Sequence, residues 1–527
     1  MKLVILLVLS VFQLAEEQCP SLPKGLLQAV SFTNTQCHHL TDADYTFPAD
    51  DPTAMPRAYG MMGLVRDGKG CFRENLMTVA ALSGYPVEEI LNDPAVNVLA
   101  YAKACEKTAS RLGITSKAPE AWMPVIMALS ELPWGEKKDE LPMKIMLYSV
   151  YYQLDVNLKT LFGDDYAWLS GESVSVSKET DYPNAIWIPA AECNYENRTK
   201  EVSAVVIHYT EGSYAGCISW FQNCDAEVSA HYVIRSVDGQ VAQMVRECYK
   251  AWHAGTANGY TIGVEHEAYG DIISFFTEAM YQSSADLMRN ICSRYDVIDG
   301  LRTFCTDTLD NGTALNTGVH NLGGEGTCLK IKGHQHYPDQ THTDPGPYWD
   351  WNYYYKLINE GTFAVHLGGA GVTEGDFNHE YYGNDERRIW VIESDPNTTI
   401  TLNFSSFDLE DDYDFLWIYD GGDVYAPKIG RWNTQSPGSV TSTGNTMCVE
   451  FRSDCLTTAV GWQAHWTVHS GSGVDEWRNL VTDDCEITVF DLMGRTVMDQ
   501  EPLPHGVYIV RYTRLKDGKT FVRRIIR

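Results

Sequence analysis

The sequence predicts a multidomain chain. It comprises a helical N-terminal domain, an α/β domain with a mixed central sheet, a β-sandwich and a small C-terminal β-sandwich. Three observations carry this. Over residues 19–155 apolar residues recur at three- and four-residue spacing, the period of a helix face. From Val202 onward, apolar strand runs such as VSAVVIHYT and TIGVEHE are interleaved with helical patterns. After residue 374 there are only short alternating runs between turn residues, as in a sandwich.

The totals bound the rest. A chain of 527 residues with 44% hydrophobic content can build several cores. Its formal charge of −30 argues against binding nucleic acid or anionic lipid through a general field. The first 18 residues, MKLVILLVLSVFQLAEEQ, read as a secretory signal whose apolar run is too short to span a membrane. Glu16, Glu17 and Gln18 stand before Cys19 where a lipoprotein signal has small residues, so no lipid anchor is expected. No later run reaches spanning length, so no transmembrane segment is expected either. Fourteen cysteines, an even number, imply disulfides in an exported chain. Their connectivity stays open; Cys217–Cys224 is the first expected pair and Cys448–Cys455 the second.

Within 19–155, helices are expected over Arg73–Leu82, Val87–Ile90, Val96–Leu112 and Ala121–Leu132. Residues 156–195 are polar and Ser-rich, with Pro183 and Pro189, and read as a connector with some strand content. The α/β domain, 196–362, has expected strands at 202–209, 231–236, 240–245 and 260–267. A helix is expected near 278–295, started by Thr277, with Leu287, Met288, Ile291, Cys292 and Tyr295 on one face. Residues 297–332 look like an inserted loop, and a second helix begins within 347–358. The stretch HLGGAGVTEGDF reads as a linker to the sandwich over 372–470, whose strands are WVIES, TITLNF, FLWIYDG, TMCVEFRS and GWQAHWTV. SGSG at 470–473 is a flexible joint to the terminal segment, 474–527.

The chemistry concentrates between Val202 and Trp351. His208 ends an apolar strand, and His334 and Asp344 lie within GHQHYPDQTHTDPGP. Two imidazoles and one carboxylate suit Zn²⁺ and leave a fourth position for water. Glu265, on another apolar strand and outside that set, is the group to take a proton from the water. Alternatives stay open on the residues alone. A strand-end histidine is more often core packing, and Asp344 before Pro-Gly is a good turn former. His336 and His320 are rival ligands, and Glu267, on the same side of the strand, is a rival base.

VVIHYT, SAHYVI (229–234), the Asp238–Gly239 turn, AWHAG (251–255), TIGVEHE (261–267), GH (333–334) and TDPGP (343–347) occur in one order. This resembles the zinc-dependent N-acetylmuramoyl-L-alanine amidase family, shared by bacterial amidases, phage lysozyme-amidases and animal peptidoglycan-recognition proteins. The resemblance spans about 150 of the 527 residues. It implies zinc at His208, His334 and Asp344, Glu265 as the catalytic carboxylate, and peptidoglycan as the substrate. It also implies that His231, Trp252 and His253 shape the substrate groove. His342 stands where many bacterial members place a lysine to stabilise the oxyanion. A histidine is charged only below about 6.5, so activity is expected to fall at high pH sooner than in a lysine enzyme. Two other readings are a peptidoglycan-recognition protein that does not cut and a surface adhesin.

Three further resemblances follow. GLLQAVSFTNTQ (25–36) and RAYGMMGL (57–64) are similar to the core of lysozyme-like lytic transglycosylases. The place of that family's catalytic glutamate holds Phe32–Thr35, so glycan cleavage is expected to be lost and glycan holding retained at most. FDLEDDYDFLWIYDGGD with the later FRSD and GWQAHW resembles the CUB domain, which implies Glu410, Asp414 and Asp454 as Ca²⁺ ligands. The gap between Glu410 and Asp414 is shorter here than in animal CUB domains. ITVFDLMGRTV, LPHGVYIVRY and GKTFVRRIIR resemble the C-terminal sorting domain of type IX secretion. That implies a type IX secretion machinery as partner and a secreted or outer-membrane-surface location.

Overall fold

The computed structural model describes residues 11–170, 180–270, 272–306, 308–309 and 312–470, with three C-terminal strands at 485–491, 507–514 and 520–526. Residues 1–10 of the expected signal lie outside the described residues, and 11–18 form a helix, α1. The chain divides into two compact units, Met1–Glu360 and Gly361–Arg527. Among the described residues no helix is long and apolar enough to cross a membrane.

The first unit opens with helices. α2 (Leu26–Thr35) is followed by a small hairpin, β1 (Ala58–Tyr59) and β2 (Leu64–Val65). Then come α3 (Asn75–Ser83), α4 (Val87–Asn92), α5 (Pro94–Leu112), α6 (Met123–Leu129), α7 (Glu140–Tyr152), α8 (Leu158–Phe162) and α9 (Tyr166–Leu169). The boundaries have local causes. Asp93 caps α5 by accepting from the Ala95 and Val96 N–H groups, Pro94 takes the first helical position, and Gly113 ends it in the left-handed region. The helical region therefore runs past residue 155, into the expected connector, as far as Leu169.

The place of the missing glutamate at the end of α2 is packed shut. The Thr35 hydroxyl donates to the carbonyls of Ser31 and Met61, and Asn34 Nδ2 donates to Met62 O. The space beside Asn34 and Glu131 is about 10 Å³, closed by Gly212 and Tyr269 from the α/β part. That is room for about one water.

The α/β part carries a six-stranded mixed sheet. In chain order it contains β3 (Ile186–Trp187), β4 (Tyr195–Asn197), β5 (Ala204–Tyr209), α10 (Tyr214–Phe221), β6 (Tyr232–Ile234), β7 (Val241–Gln243), β8 (Tyr249–Ala251) and β9 (Thr261–His266). α11 (Glu278–Arg294), β10 (Ile331–Gly333) and α12 (Trp351–Ile358) follow. The sheet order is β10-β5-β9-β6-β7-β3, with β6–β7 antiparallel and the other neighbours parallel. β4 and β8 pair separately. Thr277 caps α11, accepting from the Met280 N–H, as its position predicts. β3 lies in the segment read as a connector, yet it completes the sheet edge beside β7.

Strand alternation sorts the side chains. Val205 and Ile207 of β5, with Ile262 and Val264 of β9, join the core built by α11 and α12. The alternate positions, His208 and Glu265 among them, therefore face the other way. A second core runs without a break from the N-terminal helices through α10 to Val233, Ala242 and Ala251. The helices and the sheet thus share one apolar interior, where the sequence suggests two separate domains.

Cys224 is bonded to Cys193, with Cα atoms 5.6 Å apart. The expected Cys217–Cys224 pair does not form. Cys217 lies within α10 and is buried against its core, whereas Cys193 and Cys224 sit in two short turns. Cys328 and Cys455 are each disulfide-bonded, but the expected Cys448–Cys455 pair does not form, because Cys448, buried in the strand over residues 446–452, carries no disulfide.

The second unit contains a β-sandwich. One sheet is ordered β11 (Ala364–Gly368), β13 (Arg387–Glu393), β18 (Thr446–Arg452), β15 (Phe415–Tyr419), β16 (Lys428–Trp432). The other is β12 (Glu374–Glu380), β19 (Gly461–Ser470), β14 (Thr398–Asp408), β17 (Ser439–Thr441). The stretch read as a linker supplies β11 and β12; their exposed residues and glycines hide the strand period. β20 (Cys485–Asp491), β21 (Val507–Arg514) and β22 (Thr520–Ile526) form a three-stranded antiparallel sheet. The other parts of the expected small sandwich lie outside the described residues.

Candidate active site

His208 and Glu265 are brought together by strand register. β5 and β9 are parallel neighbours in which His208 is paired with Glu265, so both side chains project from one face. β10, the other neighbour of β5, ends at Gly333 and delivers His334 into the same space. A Cβ at Gly333 would meet Pro345 Cδ at 2.6 Å. The absence of a side chain there lets the Asp344–Pro345 turn fold back onto the strand.

His208 Nδ1 lies 2.8 Å from Asp344 Oδ2, and His334 Nδ1 lies 3.0 Å from Asp344 Oδ1. The two imidazole rings are 4.5 Å apart. One ligand atom from each of the three residues falls within 4.8 Å of the others, and all three side chains are buried. Burial, reinforced by the neighbouring His334, lowers His208 to about 4, so its ring is neutral at pH 7. Burial would raise Asp344, but the imidazoles outweigh it and hold the carboxyl far below the usual range. A neutral His208 imidazole and an ionised Asp344 carboxylate are protonation states that a divalent ion requires.

The outer ring nitrogens are also committed. His208 Nε2 is 3.0 Å from His253 Nδ1, and His334 Nε2 is 2.7 Å from Gln340 Oε1. Such contacts orient ligand rings and select the tautomer. Gln340 was missed by the sequence reading, although it lies between His334 and Asp344 in the motif; an amide carries no ligand signature.

Glu265 borders the cleft, and its Oε2 is buried with no hydrogen-bond partner among the described residues. Burial, then the nearby Asp344, pushes its carboxyl well above the usual range. An orphaned carboxyl oxygen beside two imidazoles and a carboxylate fits a site built for a cation and its water. The donor set therefore suits Zn²⁺.

The rivals are otherwise engaged. Glu267 accepts the Tyr214 N–H at 2.7 Å through one oxygen and the Ser236 N–H at 2.8 Å through the other, a structural role. His336 contacts the Gly333 N–H and Leu315 O, and His320 contacts Thr317 O.

The cleft has a volume of about 100 Å³. His342 and Trp252 line it, and the His342 ring is 4.6 Å from that of His334. Burial lowers His342 below its ordinary value, so at pH 7 it is a neutral N–H donor. His253 borders the cleft, and its ring packs on Gly263, where a Cβ would lie 2.6 Å from the ring. His231, expected in the groove, does not reach it. It is fully buried, with Nδ1 accepting from the Gly263 N–H at 3.0 Å and Nε2 lying 2.9 Å from Arg198 Nη2. The sequence reading also missed Phe47, Met55, Glu211 and Trp220, which line the cleft.

In the second unit Glu410, Asp414 and Asp454 converge. Asp414 accepts from the Tyr382 hydroxyl at 2.6 Å and from the Asp454 N–H at 2.8 Å, and Glu410 Oε2 is buried without a partner among the described residues. Hard oxygens so placed suit Ca²⁺.

The N-acetylmuramoyl-L-alanine amidase family model matches residues 198–347, and the CUB domain model matches 371–466. The chain is 43% identical over 182 residues to "N-acetylmuramoyl-L-alanine amidase A" of Achromobacter lyticus, covering 34% of this chain and 97% of that protein. It is 35% identical over 103 residues to human cubilin, covering 17% of this chain but 3% of cubilin. A mutant structure of PlyL aligns at 13% identity and a TM-score of 0.22, covering 34% of this chain and 99% of that one. That likeness is too distant to inform the fold.

Proposed function

The chain belongs to the N-acetylmuramoyl-L-alanine amidase family, and from that premise we propose that it is a secreted zinc hydrolase of peptidoglycan. The bond cut is the amide between N-acetylmuramic acid and L-alanine. The observation that carries this is the convergence of His208, His334 and Asp344 beside the unpartnered carboxyl oxygen of Glu265.

His208, His334 and Asp344 would hold the ion. Zn²⁺ bound there would supply Lewis acidity, polarising the amide carbonyl and acidifying water. Glu265 takes the proton from the attacking water and returns it to the leaving amine nitrogen. Its raised affinity for a proton suits the second half of that task. His342 donates an N–H to the carbonyl oxygen as negative charge develops there. His253 and Gln340 hold the two ligand rings in register. Trp252 offers an apolar wall to the substrate.

Mass spectrometry of peptidoglycan digested with and without a zinc chelator tests the reading. Chelator-sensitive release of stem peptides beginning at L-Ala is expected. Release of peptides cut internally would keep the metal and move the bond. Zinc binding and wall retention without release from either the wall or a soluble muropeptide would instead favour a recognition protein.

The other parts fit a protein that works outside the cell. Residues 1–18 act as a secretory signal and 474–527 as a type IX sorting domain. In the CUB-like sandwich Glu410, Asp414 and Asp454 bind Ca²⁺. Burial, joined by the charges of Glu410 and Asp454, raises Asp414 to about 7. Without a cation the folded chain keeps a proton there that the unfolded chain releases near pH 4. That stabilising contribution is complete below about pH 4 and is lost as pH rises through about 7. Calcium takes over where the proton leaves. Millimolar Ca²⁺ is therefore expected to raise the Tm of the sandwich more at pH 8 than at pH 5.5, and Asp414→Asn to remove the difference. An equal gain at both pH values would contradict this.

A further inference from the structure

One wall of the catalytic cleft comes from outside the α/β part. Residues 40–58, between α2 and the β1–β2 hairpin, run alongside the candidate ligands. The Phe47 ring lies 4.1 Å from the His342 ring, and Met55 lines the same cleft.

The segment is fixed along its length. Leu40 and Ala58 at its two ends are buried in the core that holds β5 and β9, and Tyr45 packs against that core. The Thr46 N–H donates to Glu211 Oε1 at 2.8 Å, and its hydroxyl donates to the same oxygen. Trp220 Nε1 donates to Thr53 O at 3.0 Å. Gly212 is needed opposite Met55, because a Cβ there would meet Met55 Cε at 1.9 Å. Arg57 donates to Phe47 O and pairs with Asp42 at 2.7 Å. The segment is thus held at both ends and in the middle, beside the candidate ligands.

In polymeric peptidoglycan the scissile amide is flanked by a glycan strand that continues both ways and by a peptide tied to other strands. A wall beside the candidate ligands limits how far glycan or peptide can continue past the scissile bond.

We infer that Phe47 and Met55 are specificity determinants that select short, soluble muropeptides over the cross-linked wall. This rests on the amidase reading above.

The test compares full-length wild type, Phe47→Ala, Met55→Ala and the double variant on a soluble muramoyl tripeptide and on purified sacculi. The ratio of kcat/KM on sacculi to kcat/KM on the tripeptide is expected to rise about tenfold in the double variant. A purely structural role would lower both rates together, and an unchanged ratio overturns the inference. Phe47→Leu keeps the apolar packing should the alanine variants fail to fold; it is expected to raise the ratio by a smaller factor, and no rise overturns the proposal. If zinc-loaded wild type cleaves neither substrate, the amidase reading fails, and co-sedimentation with sacculi decides the wall on its own. Retention gained by the double variant supports it; unchanged retention overturns it.

Discussion

Glu265→Gln is expected to lower kcat by about three orders of magnitude while zinc content stays at that of wild type. The substitution keeps size and shape and removes only the capacity to accept and return a proton. Glu265 lies outside the His208, His334 and Asp344 set, so the metal should stay. The loss corresponds to about 4 kcal/mol of transition-state stabilisation. Glu267 cannot take over, because both its oxygens already accept backbone N–H groups. Stem-peptide release and zinc content, measured on one preparation, check this. Retention of more than a tenth of the wild-type rate would remove Glu265 from the mechanism.

Asp344→Ala is expected to abolish zinc binding and to lower activity at least about a thousandfold. Asp344 is the group that both imidazoles share, with His208 at 2.8 Å and His334 at 3.0 Å. Its loss removes the only charge in the ligand set and frees both rings. A bound ion stabilises the folded chain by mass action, about 2.7 kcal/mol at a hundredfold excess over Kd. The variant should therefore lose the rise in Tm that added zinc gives the wild type. Unchanged zinc content would assign the aspartate to turn formation alone.

Much of the site was legible because it depends on local period and short spacing. Alternation along VSAVVIHYT places His208 opposite the core face, and alternation along TIGVEHE does the same for Glu265. GHQHYPDQTHTDPGP places His334 and Asp344 within one turn of chain. The limits of α11 followed from Thr277 and the apolar face. β11 and β12 were not legible, since their exposed side chains give no two-residue period and are ordered by pairing with β13 and β19.

The sequence by itself determined which residues are candidates for the chemistry and which face of each strand they occupy. The tertiary structure alone decided what surrounds them. It buried His231 against Arg198 and Gly263, joined Cys193 to Cys224, and set Gln340 against His334. It also brought Thr46 onto Glu211 across 165 positions of sequence to wall the cleft. Spacing and periodicity report only neighbours along the chain. Contacts between distant segments are set by how the packed cores close, and no local pattern encodes that.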